Sequence, residues 1–86
     1  MPRISAFYGI IIWLYRADHP PAHFHAQYGE HWAKIAIGTG RVLEGSLPRR
    51  ALRMTREWAG LHVSDLEANW ARSQGEEPLE PIPPLS

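Results

Sequence analysis

The stretch Tyr8-Gly9-Ile10-Ile11-Ile12-Trp13-Leu14-Tyr15 decides the fold class, because it is apolar at both alternating positions and rich in β-branched and aromatic side chains. That pattern describes a central strand covered on both faces. Downstream, Pro20 and Pro21 close the segment with a stiff turn. Phe24, Ala26 and Tyr28 then alternate with His23, His25 and Gln27, as in a half-buried strand. Gly29 turns the chain into a strand over residues 32–37, Gly38-Thr39-Gly40 turns it again, and Arg41-Val42-Leu43-Glu44 forms a short last strand before Gly45. The expectation is an antiparallel meander of about four strands.

From Pro48 the apolar period changes from two to that of a helix. Proline suits the first helical turn, and Leu52, Thr55, Ala59, His62, Leu66 and Trp70 fall in one stripe, with Trp58 and Val63 at its edges. One long helix over residues 48–73 is expected, bent near Gly60; the alternative is a second helix capped by Ser64-x-x-Glu67. Strands followed by a helix give an α+β fold with the helix packed across one face of the sheet. Residues 1–75 form the single domain and residues 76–86 an acidic, proline-rich tail. Leu79, Ile82 and Leu85 recur there every third residue, the period of polyproline II. Either the tail frays, or it is a strap that docks on this chain or on a partner.

With 86 residues there is room for one domain and a modest core. Cysteine is absent, so disulfides and thiolate chemistry are excluded, and histidine and carboxylate must carry any reaction. The N-terminal sequence shows no signal-peptide anatomy, and no apolar run approaches the roughly 18 residues of a membrane span. A soluble cytoplasmic protein with no membrane partner is expected. Net charge is zero, but residues 1–56 hold eight bases and three acids, while residues 57–86 hold one base and six acids. The halves therefore carry +5 and −5, which either attract each other or present a basic face to an anionic ligand. Eight of the nine bases are arginine, whose planar fork suits phosphate.

The chemistry concentrates in Asp18-His19-Pro20-Pro21-Ala22-His23-Phe24-His25. His23 and His25, two apart on a strand, project to one side, and His19 lies across the proline turn. Three readings fit. In the first, the histidines act as general acid and base of a metal-independent ribonuclease, a role suited to a near-neutral pKa and requiring no cofactor. In the second, His19, His23 and His25 with Asp18 or Glu30 hold a transition metal. In the third, Asp18 caps the turn and the rings are hydrogen-bonded in a polar surface patch. The first is the leading expectation, with His23, His25 and His19 catalytic.

On the helix, Arg49, Arg50, Arg53 and Arg56 crowd the end where the dipole is already positive, which folding alone does not favour. They are the candidate site for RNA, DNA or an acidic partner surface; the alternative is a solvated face paired to Glu57 and the tail. Met54 and Leu61, seven apart opposite the core stripe, are a candidate contact for a second copy or a partner protein, and Leu79 and Ile82 of the tail another. One conflict is visible in advance. Phe24, Ala26 and Tyr28 should face the helix, which sends His23 and His25 to the opposite face, away from His62 and the arginines.

Met1-Pro2-x-Ile4-Ser5-x-Phe7-Tyr8-Gly9-Ile10, Asp18-His19-Pro20-Pro21-x-His23-Phe24-His25-Ala26, Leu47-Pro48-x-Arg50-Ala51 and Glu57-Trp58-x-x-Leu61-His62 together resemble the bacterial family catalogued as domain of unknown function 4160. The resemblance spans nearly the whole chain. It implies a protein encoded beside another small protein, as in type II toxin–antitoxin pairs, with this chain as the toxin and its neighbour as the antitoxin partner. Any role attached to the histidine motif falls on His19, His23 and His25. The combined expectation is a toxin that cleaves or binds RNA, against the alternatives of a non-enzymatic protein- or DNA-binding module and of a metal-binding protein.

Overall fold

A computed structural model of the chain describes residues 2–86. Five strands, β1 (Arg3–Phe7), β2 (Ile10–Trp13), β3 (His23–Tyr28), β4 (His31–Ala36) and β5 (Val42–Gly45), precede two helices, α1 (Arg49–Leu61) and α2 (Val63–Gln74). The strands form one antiparallel sheet in chain order, β1-β2-β3-β4-β5. The α+β meander is as the alternation of apolar residues requires, with one strand more than expected. The extra strand is β1. Tyr8 and Gly9, read above as the start of a strand, both take positive φ (48° and 81°) and make the two-residue turn that joins β1 to β2.

Register sorts the residues into two faces. Ile12, Ala26 and Ala33 lie side by side on one face, with Phe24 and Ile35 in the neighbouring row, and all are buried. Trp58 of α1 fills the space above them, its ring 5.4 Å from Phe7 and 5.8 Å from Phe24. The other face carries the row Arg3, Trp13, His25, Lys34 and Glu44. Those residues are exposed or half-buried, and α2 reaches this face at the head of β3, where Trp70 packs on His23. Ile11 and Trp13 are only half-buried, and β2 is covered on one face and not on two.

The expected long helix breaks at His62, which adopts φ −124°, ψ 30°. Gly60 and the β-branched Val63 flank the break and both weaken helix formation. At the break the His62 N–H turns back to the Ala59 carbonyl at 3.2 Å, and the His62 carbonyl accepts the Leu66 N–H at 2.9 Å as the first hydrogen bond of α2. Asp65, rather than Ser64, faces the new N-terminus, with its carboxylate 3.3 Å from His62 Nδ1.

The tail is a strap. The Ile82 N–H donates to the Ile4 carbonyl at 2.8 Å and Trp58 Nε1–H to the Pro83 carbonyl at 2.9 Å. Buried Asn69 exchanges two hydrogen bonds with the backbone of Glu80, at 2.8 and 2.9 Å. Ile82 is 5% exposed and joins the core, with Leu79 and Leu85 packed against it. Leu79 and Ile82, expected as a partner surface, thus spend their apolar area on this chain. Met54 also packs against the core, while Leu61 is 69% exposed, so the two do not form one exposed pair. No helix among the described residues is long and apolar enough to cross a membrane.

Candidate metal centre

The connection between β2 and β3 is held against the end of α2 and the start of the strap. The Ala17 N–H donates to the Ser73 carbonyl at 2.9 Å, and Gln74 Nε2–H to the Asp18 carbonyl at 3.3 Å. Arg16 donates to the carbonyls of Arg72, Gly75 and Glu77 at 3.1, 2.8 and 2.8 Å. A cation over carbonyls at and just beyond a helix C-terminus is favourable on both hydrogen-bond and dipole grounds. This anchoring places Asp18 at the head of β3.

There the Asp18 carboxylate meets His23. Asp18 Oδ1 accepts the His19 N–H at 2.8 Å, and Oδ2 lies 2.9 Å from His23 Nε2. The other ring nitrogen, His23 Nδ1, is 2.8 Å from the Pro21 carbonyl. A carbonyl can only accept, so Nδ1 carries the proton. Nε2 is then directed at the carboxylate, a contact satisfied by a second proton or by a cation shared between the two groups. The His23 side chain is only 1% exposed, because Trp70 of α2 packs on it at 5.2 Å.

His25 completes the group. Its ring lies 5.2 Å from His23 and 4.7 Å, edge to face, from Tyr15. His25 Nδ1 is buried with no hydrogen-bond partner among the described residues. One ligand atom from each of Asp18, His23 and His25 can be chosen so that all lie within 4.8 Å of one another. On its outer side His25 lines a shallow depression with Trp32, Lys34 and Glu44.

The electrostatics follow from this packing. Burial pushes the Asp18 carboxyl up, but the His19 N–H, the His23 hydrogen bond and the charges of His23 and His25 outweigh it and hold the group below its ordinary value. Burial, then the charge of His23, lowers His25 below 6.5, with Asp18 opposing. Burial and the Asp18 charge raise Tyr15. Both Asp18 and His25 are depressed, so each contributes stability above its unfolded pKa that is lost as pH falls toward its folded one. Urea denaturation in a chelator is expected to show stability declining as pH drops below 6.5, the His25 window, with a further loss below about 4 as Asp18 titrates. His25→Gln should flatten the first portion; a wild-type profile level down to pH 5 would contradict the assignment.

The expected site residues separate into two groups. Asp18, His23 and His25 come together. His19 contributes its backbone, but its exposed side chain is outside the group, and Glu30 sits at the opposite end of β3 in the turn to β4. The conflict noted from the alternation is real. The arginines lie on α1, over the covered face, with Arg56 Nε–H donating to the Gly40 carbonyl at 2.8 Å, whereas His25 is on the other face. His62 is at the helix break beside Trp58. A two-histidine acid–base mechanism needs both rings open to substrate, and His23 is enclosed. Tyr15 and Trp70 were not marked by the sequence. Trp70 carried a signal, its place at the far end of the helical stripe; Tyr15 carried none apart from its position just before Asp18.

Fold and site together define a small α+β protein with a histidine–carboxylate cluster at the head of a central strand. The chain belongs to the family described as Domain of unknown function (DUF4160), whose model matches residues 9–71, more than half of its length. No curated protein and no solved structure matches it.

Proposed function

We propose that this chain binds a divalent transition-metal ion, zinc above all, through Asp18, His23 and His25. The observation that carries the reading is the convergence of ligand atoms of Asp18, His23 and His25 to within 4.8 Å of one another; His25 also holds a buried Nδ1 with no hydrogen-bond partner among the described residues. Imidazole and carboxylate are ordinary zinc ligands at about 2.0–2.2 Å, which places ligand atoms about 3.3 Å apart in a tetrahedral shell. His23 Nε2 and Asp18 Oδ2 need to part only slightly from 2.9 Å, and the His25 ring to swing inward. The Pro21 carbonyl on His23 Nδ1 is the outer-shell acceptor that commonly fixes a ligating ring. Asp18, one quarter exposed, leaves the ion a way in.

Three protein ligands leave a zinc ion a position for water or substrate, the pattern of catalytic rather than structural sites. Any toxic activity, the role implied by the family resemblance, and any action on RNA, the reading drawn from the histidines, would then depend on the metal and not on paired free histidines.

The test is a competition titration of the tag-free chain against a chromophoric zinc indicator. One equivalent is expected to bind. Asp18→Asn and His25→Ala should weaken binding by about tenfold or more, since even outer-shell changes have effects of that size. His19→Ala should leave it unchanged. Absence of 1:1 binding, or binding that follows His19 instead of His25, would sink the reading.

A further inference from the structure

The metal reading leaves the arginines of α1 unused. Arg49, Arg50, Arg53 and Arg56 are all exposed, and the first turn of α1 contains no acid. None of the four takes part in an ion pair among the described residues, where the pairs are Asp18–His23, Asp65–His62 and Glu80–Arg72. At about 100° per residue, Arg56, Arg49, Arg53 and Arg50 follow one another around an arc of about 120°, on the side of α1 away from buried Ala51, Thr55 and Trp58. Glu57 shares the arc and offsets one charge, leaving an excess of three.

At the Arg50 edge of this arc lies a depression lined by Tyr8, Tyr28, Pro48, Arg50, Ala51 and Met54. Tyr8 is 59% exposed and Tyr28 37%. Tyr8 holds its ring at the tip of the β1–β2 hairpin in a left-handed backbone, where asparagine or glycine fits at less cost. Local folding does not account for an aromatic residue there.

We infer that this face binds single-stranded nucleic acid, with phosphates along the arginine arc and an unpaired base against Tyr8 and Tyr28. Guanidinium forks match phosphate oxygens in pairs, and aromatic rings beside a basic track are the usual platform for unpaired bases. An acidic protein segment would satisfy the arginines but has no use for the tyrosines. A duplex offers no unpaired base to them. This surface is separate from the metal centre, and the inference stands or falls independently of it.

Fluorescence anisotropy with labelled 12-nucleotide oligouridylate and oligothymidylate tests it. Both are expected to bind, with log K falling against log salt at a slope of about −2, as for some three phosphates on a single strand. The double variant Arg49→Glu, Arg53→Glu should weaken binding at least tenfold and flatten the slope. Tyr8→Asn, a substitution the turn accepts, should weaken binding about fivefold or more, as loss of a stacked base does, without changing the slope. The proposal is overturned if neither strand binds at low salt, if the double arginine variant binds as the wild type does, or if Tyr8→Asn has no effect while polyglutamate competes as well as oligouridylate. That last outcome assigns the face to an acidic protein partner.

Discussion

Truncation after Gly75 is expected to leave a chain that is largely unfolded at room temperature. The strap closes the core between the β1 edge of the sheet and the helices, bonded to Ile4 on one side and to Trp58 and Asn69 on the other. Burial of Ile82 alone contributes about 1.5–3 kcal/mol. Its removal also strands Trp58 Nε1–H and the buried Asn69 Nδ2–H, whose partners are the Pro83 and Glu80 carbonyls, while Asn69 Oδ1 keeps only Arg72. Each buried polar group left unpaired costs about 1–3 kcal/mol. The sum is on the order of 5 kcal/mol, against a total stability of about 4–13 kcal/mol for a domain of this length. Far-UV circular dichroism and urea denaturation of the truncated chain measure it. The full-length Ile82→Asp variant should show much of the same loss, which separates the docked residue from chain length. A truncated chain with the wild-type urea midpoint would contradict a docked strap.

The second large effect is expected at Gly45. Gly45 has φ +74°, and a Cβ built there overlaps the carbonyl oxygen of Trp32 and lies 3.3 Å from Ala33 Cα. Both are backbone of the adjacent strand, which cannot rotate away as a side chain can. That same Trp32 carbonyl accepts the Ser46 N–H at 3.0 Å, so relief of the overlap would pull β5 from β4. Gly45→Ala is expected to destabilise by about 3 kcal/mol or more, combining left-handed strain of about 1–2 kcal/mol with the steric overlap. Gly29→Ala is the control, because Gly29 also has positive φ (58°) but nothing lies within 4 Å of the added methyl. It should cost only the strain. Equal shifts in urea midpoint for the two variants would show that the overlap is relieved elsewhere.

Those two cases mark where the sequence was legible and where it was not. The switch of apolar period at Pro48 is a local property, and it located the change from sheet to helix within a residue. Alternation along His23–Tyr28 was equally local and correctly put both histidines on one face, opposite the one that α1 covers. It also exposed in advance the separation of the histidines from the arginines. What failed depended on contacts distant in the chain. Tyr8-Gly9 reads as part of an apolar run, and only pairing of Arg3–Phe7 with β2 reveals it as a turn. The period of three in the tail showed which residues would share a side, with Ile82 innermost. It could not show that Trp58 and Asn69 wait there with unpaired hydrogen-bonding groups. Likewise His23 reads as a half-exposed strand residue, and its enclosure requires Trp70, 47 positions later, to arrive over the strand head.

The cluster itself shows the same division. Sequence spacing proposed four ligands, but the His19 side chain is exposed and only its backbone N–H engages Asp18. The remaining three converge only because Arg16 and Ala17 anchor the preceding loop to the end of α2. The metal binding proposed here would thus be coupled to the docking of α2 and the strap. An ion that binds only the folded chain stabilises it, by about 2.7 kcal/mol at a free concentration one hundred times Kd.

X-ray absorption at the zinc edge of the tag-free chain loaded with one equivalent tests the metal centre most directly. The predicted spectrum has a four-coordinate shell of nitrogen and oxygen at about 2.0–2.1 Å, with outer-shell scattering from two imidazoles; His25→Ala should reduce the imidazole scattering to that of one ring. A wild-type spectrum of a hydrated ion without imidazole scattering would contradict the account.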